Sequence, residues 1–272
     1  MTMCSASLYE RLAAVLSDEF KNGEVGFTGL LTGSAAALFG TAIPLVAMQL
    51  AKLRHAPNLT ILLAGCYHNP DFRELDCLPD SEHSAQLRDL PCEAQMLGYP
   101  GPWALKRGDV SFGFSSGVQV DQTGNINSVC VGPYERPKVR LVGPILQPEH
   151  MSMFGREFIM MPTHEQRNIV GQVDFVSGVG YPGGLEGRRK LGLRRGGPEL
   201  IVTSKCIFEF DKVLGRARLR SIHPGITASE LRAATAFDLG DIGEAPVTRD
   251  PVEEELHLIR QVIDPQGILL PH

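Results

Sequence analysis

GEVGFTGLLTGS, residues 23–34, followed across a small-residue stretch by LTILL, residues 59–63, is the part of the sequence that decides the fold class. The first of these reads as a short apolar strand that runs into a glycine-bearing turn. Ser34 to Leu53 is rich in Ala and Gly, residues that let a helix pack close to its neighbours. LTILL has no polar alternation, which suits a strand buried on both faces of a mainly parallel sheet. The whole is a β-turn-α-β unit.

Working outward, Leu8, Leu12, Val15 and Leu16 recur at helical spacing, with Ser5 as the expected N-cap of an amphipathic first helix. From Tyr67 to Arg107 the pattern weakens into prolines, acids and two cysteines around the single Trp103, and irregular structure with one short helix is expected. Strands are expected at Val110–Phe114, Val118–Val120, Phe158–Met161 and Val173–Ser177. LIVTS and CIFEFD predict an antiparallel pair turning at Ser204 and Lys205, with RARLRSI as a third strand. Thr227 and Glu230 form a capping box, while Asp250, Pro251 and Glu253 open a last helix that stops at Asp264-Pro265. No repeat or low-complexity linker divides the chain, so a single domain over 1–272 is expected.

Composition narrows the function. A chain of 272 residues with net charge −5 and interspersed acids and bases lacks the basic stripe that tracks a phosphate backbone, so nucleic acid is not an expected partner. The six cysteines show no C-x-x-C pair, and the N-terminus lacks the form of a signal peptide, which predicts reduced thiols in a cytoplasm. Gly29 to Ala51 is uncharged, yet Thr41, Pro44 and Gln49 predict a buried helix and not a membrane span. No histidines and carboxylates have metal-ligand spacing, and the glycine-rich stretches lack the P-loop lysine and the dinucleotide fingerprint.

Several segments in order resemble the β-subunit type of CoA-transferase that works through a glutamyl-CoA thioester, such as the glutaconate CoA-transferase β-subunit. They are HAPNLTILLAG (55–65), SGVQVDQTGNINS (116–128), YPGGLEGRRKLGLRRGGPELIVTSKCIFEFD (181–211), HPGITASELRAATAFDL (223–239) and IRQVIDP (259–265). The resemblance implies an enzyme with an open, mainly parallel α/β sheet flanked by helices. It also implies a homologous α-subunit as partner, in a heterodimer or heterotetramer, with coenzyme A present as part of an acyl-CoA substrate and no tightly bound cofactor. Relatives of the type include a hydrolase that opens a ring in steroid breakdown and a decarboxylase with a cysteine in place of the glutamate.

On this alignment Ala64 occupies the position of the nucleophilic glutamate, which attacks the acyl-CoA carbonyl from the end of the LTILL strand. A methyl group cannot attack, so a nucleophile or base must come from Cys66, a nearby acid or the partner. Cys66, two residues on, would share a face with Ala64 on an extended strand, either as a thiolate nucleophile or as a packed thiol. His68 is in reach as a base or a bystander. The resemblance assigns the oxyanion contact to Gly117 and Val118, with Gln119 and Asn125 beside the substrate, although Gly124-Asn125 also reads as a plain hairpin turn. Gly65 and Gly143 are expected in the pocket wall, where the bulk of Pro144, Ile145 and Leu146 reads either as suiting a larger, more apolar acyl group or as a simple rearrangement of the loop.

His164, Glu165 and Arg167 read mainly as a capping and salt-bridge cluster that positions a subunit interface, with contact to the substrate as the alternative. The run Arg188, Arg189, Lys190, Arg194, Arg195 reads either as a nucleotide-phosphate site or as a solvated loop face. The alternatives to transfer are an acyl-CoA hydrolase, C–C-cleaving or decarboxylating enzyme that uses a partner base or Cys66, and a non-catalytic CoA-binding subunit.

Overall fold

The structure is a computed structural model that describes residues 5–31, 33–79, 81–96 and 108–271; Cys4, Trp103 and the end of the irregular 67–107 stretch lie outside the described residues. The chain divides into two compact units, Met1–Phe114 with Arg249–His272, and Ser115–Thr248. Each is described by itself.

The strands of the first unit are β1 (Val25–Thr28), β2 (Thr60–Leu63), β3 (Tyr67–His68), β4 (Ala94–Gln95) and β5 (Phe112–Ser115). β1 lies between β2 and β5 and is parallel to both, while β3 and then β4 add antiparallel beyond β2. The expected β-turn-α-β unit is therefore present. A side chain at Gly26 would place its Cβ 2.4 Å from the Phe112 ring and 2.5 Å from Met48 Sδ, so this glycine lets helix and sheet approach closely.

Helix α1 (Leu8–Ser17) is capped by Ser7 and not by Ser5: the Ser7 hydroxyl accepts from Glu10 N–H while Glu10 accepts from Ser7 N–H at 2.7 Å. A reciprocal capping box two residues on wins over a lone serine because it satisfies two donors at once. Helix α2 (Ser34–Arg54) contains a π-type turn at Leu38–Ala42. Thr28 Oγ1 donates to Gly40 O at 2.8 Å and Thr41 Oγ1 to Gly29 O at 2.9 Å, satisfying carbonyls around that turn. By length and composition α2 is apolar enough to cross a membrane, but Ile43, Leu45, Val46, Met48 and Leu50 are completely buried in protein. The short helix expected between 67 and 107 is α3 (Ala85–Arg88). The C-terminal helix, Glu253–His257 continued by a π-type turn at Leu258–Ile263, returns to α1, where Arg260 grips the fully buried Glu10 at 2.5 and 2.9 Å.

The second unit holds β6 (Gln119–Asp121), β7 (Ile126–Asn127), β8 (Cys130–Val131), β9 (Val139–Arg140), β10 (Arg156–Met161), β11 (Ile169–Val170), β12 (Pro198–Thr203), β13 (Cys206–Asp211) and β14 (Arg216–Ile222). β10 and β12 are parallel, and β13 and β14 follow β12 as the expected antiparallel meander. A smaller sheet sets β6 between parallel β11 and antiparallel β7. Ile159, Met161, Ile201 and Phe208 share a core with Leu231 of α6 (Ala228–Ala234), which begins at the expected Thr227–Glu230 capping box. Parallel strands extended by antiparallel ones, with helices packed on them, are the expected α/β class.

One expectation fails here, and a second holds for every residue of its run except Arg188. Val173–Ser177 is not a strand: Asp174 N–H goes to Gln119 Oε1 at 3.0 Å and Ser177 N–H to Ile126 O at 2.8 Å, so its donors are satisfied singly and form no ladder. The basic run is not simply a solvated face. Arg188, in α5 (Gly184–Lys190), is 2% exposed, and its guanidinium donates to the carbonyls of Val179, Gly180, Met151 and Arg195 at 2.6–2.7 Å. Arg189 and Lys190 remain exposed.

Candidate functional site

Ala64 and Gly65 directly follow β2 and both have positive φ, 51° and 73°. Cys66 N–H donates to Leu63 O at 3.1 Å, which closes a tight turn, and Tyr67 then pairs antiparallel with Leu63. Two left-handed residues at the centre of such a turn are the primed geometry that two-residue hairpins favour. Ala64 thus stands at the end of the strand, as expected. Cys66 does not continue an extended strand past Ala64, because the chain reverses between them and the alternation rule no longer applies. Burial, together with Glu82, pushes the Cys66 thiol up from its ordinary value, which keeps it protonated and poorly nucleophilic. His68 lies in β3 opposite Leu62.

In the second unit, Val118 N–H donates to Asn127 O at 2.8 Å, so this expected oxyanion donor is already committed. Gly117 packs against the same partner: a Cβ there would fall 2.5 Å from Ile126 Cγ2 and 2.7 Å from Asn127 O. Gln119 is buried, accepts from Asn127 Nδ2 at 2.7 Å and from Asp174 N–H, and donates to Asp174 Oδ2 at 3.0 Å. Asn125 donates to Asp121 Oδ2 and Thr123 Oγ1 and accepts from Gly180 N–H at 2.9 Å. Gly124 and Asn125 therefore build the β6–β7 hairpin. Gly143 follows β9 with φ 100°, and beyond it Ile145 adopts φ 50°, rare for a β-branched residue. Val142 and Ile145 are 89% and 78% exposed.

Sequence reasoning missed the polar side chains behind Ser115 and Ser116. Glu157, fully buried at the start of β10, accepts from the Ser115 hydroxyl, and His150 Nδ1 faces the same carboxylate oxygen at 3.3 Å. Gln147, in α4 (Gln147–Met153), donates through Nε2 to Ser116 O. The only signal in the sequence was Gln147 and His150 at i, i+3 spacing on one helix face.

The His164 group also differs from expectation. Glu165 and Arg167 pair at 2.7 Å on the surface, whereas His164 is buried between Thr203 Oγ1 at 2.8 Å and Thr235 Oγ1 at 2.9 Å. Thr235 Oγ1 donates onward to Leu231 O at 2.8 Å, so the ring donates to it through Nε2. Burial first, then Lys205 and His223, lowers its pKa to about 4. Among the described residues no three of His, Cys, Asp and Glu gather to hold a metal ion. A cavity of about 670 Å³ opens beside β14, lined in part by Leu219, Asp238 and Ile242, and includes none of Ala64, Gly65, Cys66, Gly117, Val118, Gln119, Asn125 and Gly143.

No protein-family model matches the chain. The β-subunit of glutaconate CoA-transferase from Acidaminococcus fermentans is 29% identical over 265 residues, covering 94% of this chain and 92% of that protein. The crystal structure of that organism's glutaconate coenzyme A-transferase superposes over 98% of both chains with a TM-score of 0.78 at 26% identity. This chain is a homologue of the β-type subunits of the CoA-transferase family.

Other known proteins are similar as well. The β-subunit of 3-oxoadipate CoA-transferase from Pseudomonas knackmussii is 28% identical over 258 residues, covering 95% of this chain and 94% of that protein. A cholesterol ring-cleaving hydrolase subunit of Mycobacterium tuberculosis is 34% identical over 150 residues, 55% of this chain and 59% of that one. The decarboxylase AibA/AibB shares the fold, with a TM-score of 0.74 at 22% identity over 97% of both chains.

Proposed function

We propose that this chain is the β-type half of an enzyme that processes an acyl-CoA thioester together with a homologous α-type chain, coenzyme A entering as part of the substrate. The CoA-transferase β-subunits that match it over nearly their whole length support that reading. For the reaction itself, position 64 is the observation that matters. Covalent transfer requires a carboxylate at the strand end, and Ala64 brings a methyl group to a hairpin tip. Cys66 is a poor substitute because its thiol is held protonated.

Hydrolysis or C–C cleavage needs a base and no enzyme thioester, and the partner can supply that base. The shared 150-residue match to a ring-cleaving hydrolase subunit points the same way. The apolar Val142 and Ile145 support a greasy acyl group, of alicyclic class.

The test is to incubate the paired subunits with an alicyclic acyl-CoA and an acceptor acid. Free CoA, or CoA on an opened or shortened acyl chain, is the expected product. CoA on the acceptor would show transfer, and binding without turnover would identify a silent subunit.

A further inference from the structure

Gln147 is locked in orientation. Its Oε1 faces the hydroxyls of Ser128 and Ser177 at 2.8 and 2.7 Å, so its amide nitrogen is left to donate to Ser116 O. The Ser116–Gly117 peptide is trans and planar, so a fixed Ser116 carbonyl sends the Gly117 N–H in the opposite direction. One residue earlier, Ser115 donates its proton to Glu157 Oε1. One residue later, Val118 N–H is tied to Asn127 O at 2.8 Å. The dipeptide is therefore clasped on three sides, and Gly117 N–H is the group whose direction the clasp sets.

Glu157 is an expensive way to hold a serine. The carboxyl is fully buried, and its Oε2 has no hydrogen-bond partner among the described residues. A half-satisfied buried carboxyl costs stability, whereas an apolar residue there would not.

We infer that Gln147 and Glu157 are positioning residues that fix the Ser116–Gly117 peptide plane and aim the Gly117 N–H at the thioester oxygen, an inference that rests on the proposed acyl-CoA reading.

The experiment measures, by calorimetry on the purified protein with its co-purifying partner, the affinity for free CoA and for a ketone analogue in which methylene replaces the thioester sulfur. Wild type should prefer the ketone analogue. Gln147→Met, which keeps the volume without the amide, and Glu157→Ala should cut that preference by about tenfold, the worth of one hydrogen bond, with free-CoA affinity unchanged. Glu157→Gln, which still accepts from Ser115, should restore it. Ser115→Ala, a change small enough to fold, should behave like Glu157→Ala. An unchanged preference in Gln147→Met or Ser115→Ala, or no preference in wild type, would overturn the inference while leaving the acyl-CoA reading standing. Failure of wild type to bind either compound would overturn that reading, and this inference with it.

Discussion

Cys66 N–H closes on Leu63 O at 3.1 Å, which confines Ala64 and Gly65 to the tip of a turn where both have positive φ. An alanine in the left-handed region brings its Cβ against the following carbonyl oxygen, at a cost of roughly 1 kcal/mol that glycine avoids. Ala64→Gly should accordingly stabilise the protein by about 0.5–1 kcal/mol in urea titration. A destabilisation would mean that the methyl group packs and is not merely tolerated.

Arg188 meets its four carbonyl partners without any carboxylate among them. Arg188→Met strands these buried acceptors, each costing about 1–3 kcal/mol, so a loss of at least about 4 kcal/mol is expected by chemical denaturation. Arg188→Lys should recover only part, since an ammonium cannot reproduce the guanidinium fork.

The pair of buried Glu10 and half-buried Arg260 joins the first helix to the last. Arg260→Met alone takes the guanidinium away from the buried carboxylate and should cost about 1.5–3 kcal/mol, the worth of a hydrogen bond to a charged group. The double variant Glu10→Leu with Arg260→Met should be far less damaging than the sum of the single changes, which a double-mutant cycle measures.

His164 titrates near 4 in the folded chain and near 6.5 when unfolded. The unfolded state therefore binds the extra proton first as pH falls, so stability is complete above about 6.5 and drains away down to about 4. The lost contribution is about 3 kcal/mol, two and a half pKa intervals at 1.36 kcal/mol each. His164→Gln should flatten the pH dependence of unfolding in that window, and an identical slope in wild type and variant would refute the assignment.

Local pattern made most of the scaffold readable. LTILL, the Ser34–Arg54 helix, the capping box at Thr227–Glu230 and the meander from Leu200 to Ile222 were legible because periodicity and capping chemistry are carried by neighbouring residues. Val173–Ser177 misled because its apolar alternation said nothing about where its donors would go. Cys66 was misplaced because a turn of two left-handed residues, one of them alanine, leaves no mark in hydrophobic pattern. Glu157, His150 and Gln147 escaped notice, and Arg188 could not be told from its exposed neighbours, because their partners are distant in sequence or are backbone carbonyls, which sequence does not distinguish.

Intact-mass spectrometry of this chain during turnover of an acyl-CoA, with its partner present, tests the central claim most directly. The expected result is consumption of the acyl-CoA while the mass of this polypeptide stays unchanged, because Ala64 offers nothing to acylate. A covalent CoA or acyl adduct on any side chain of this polypeptide would contradict it.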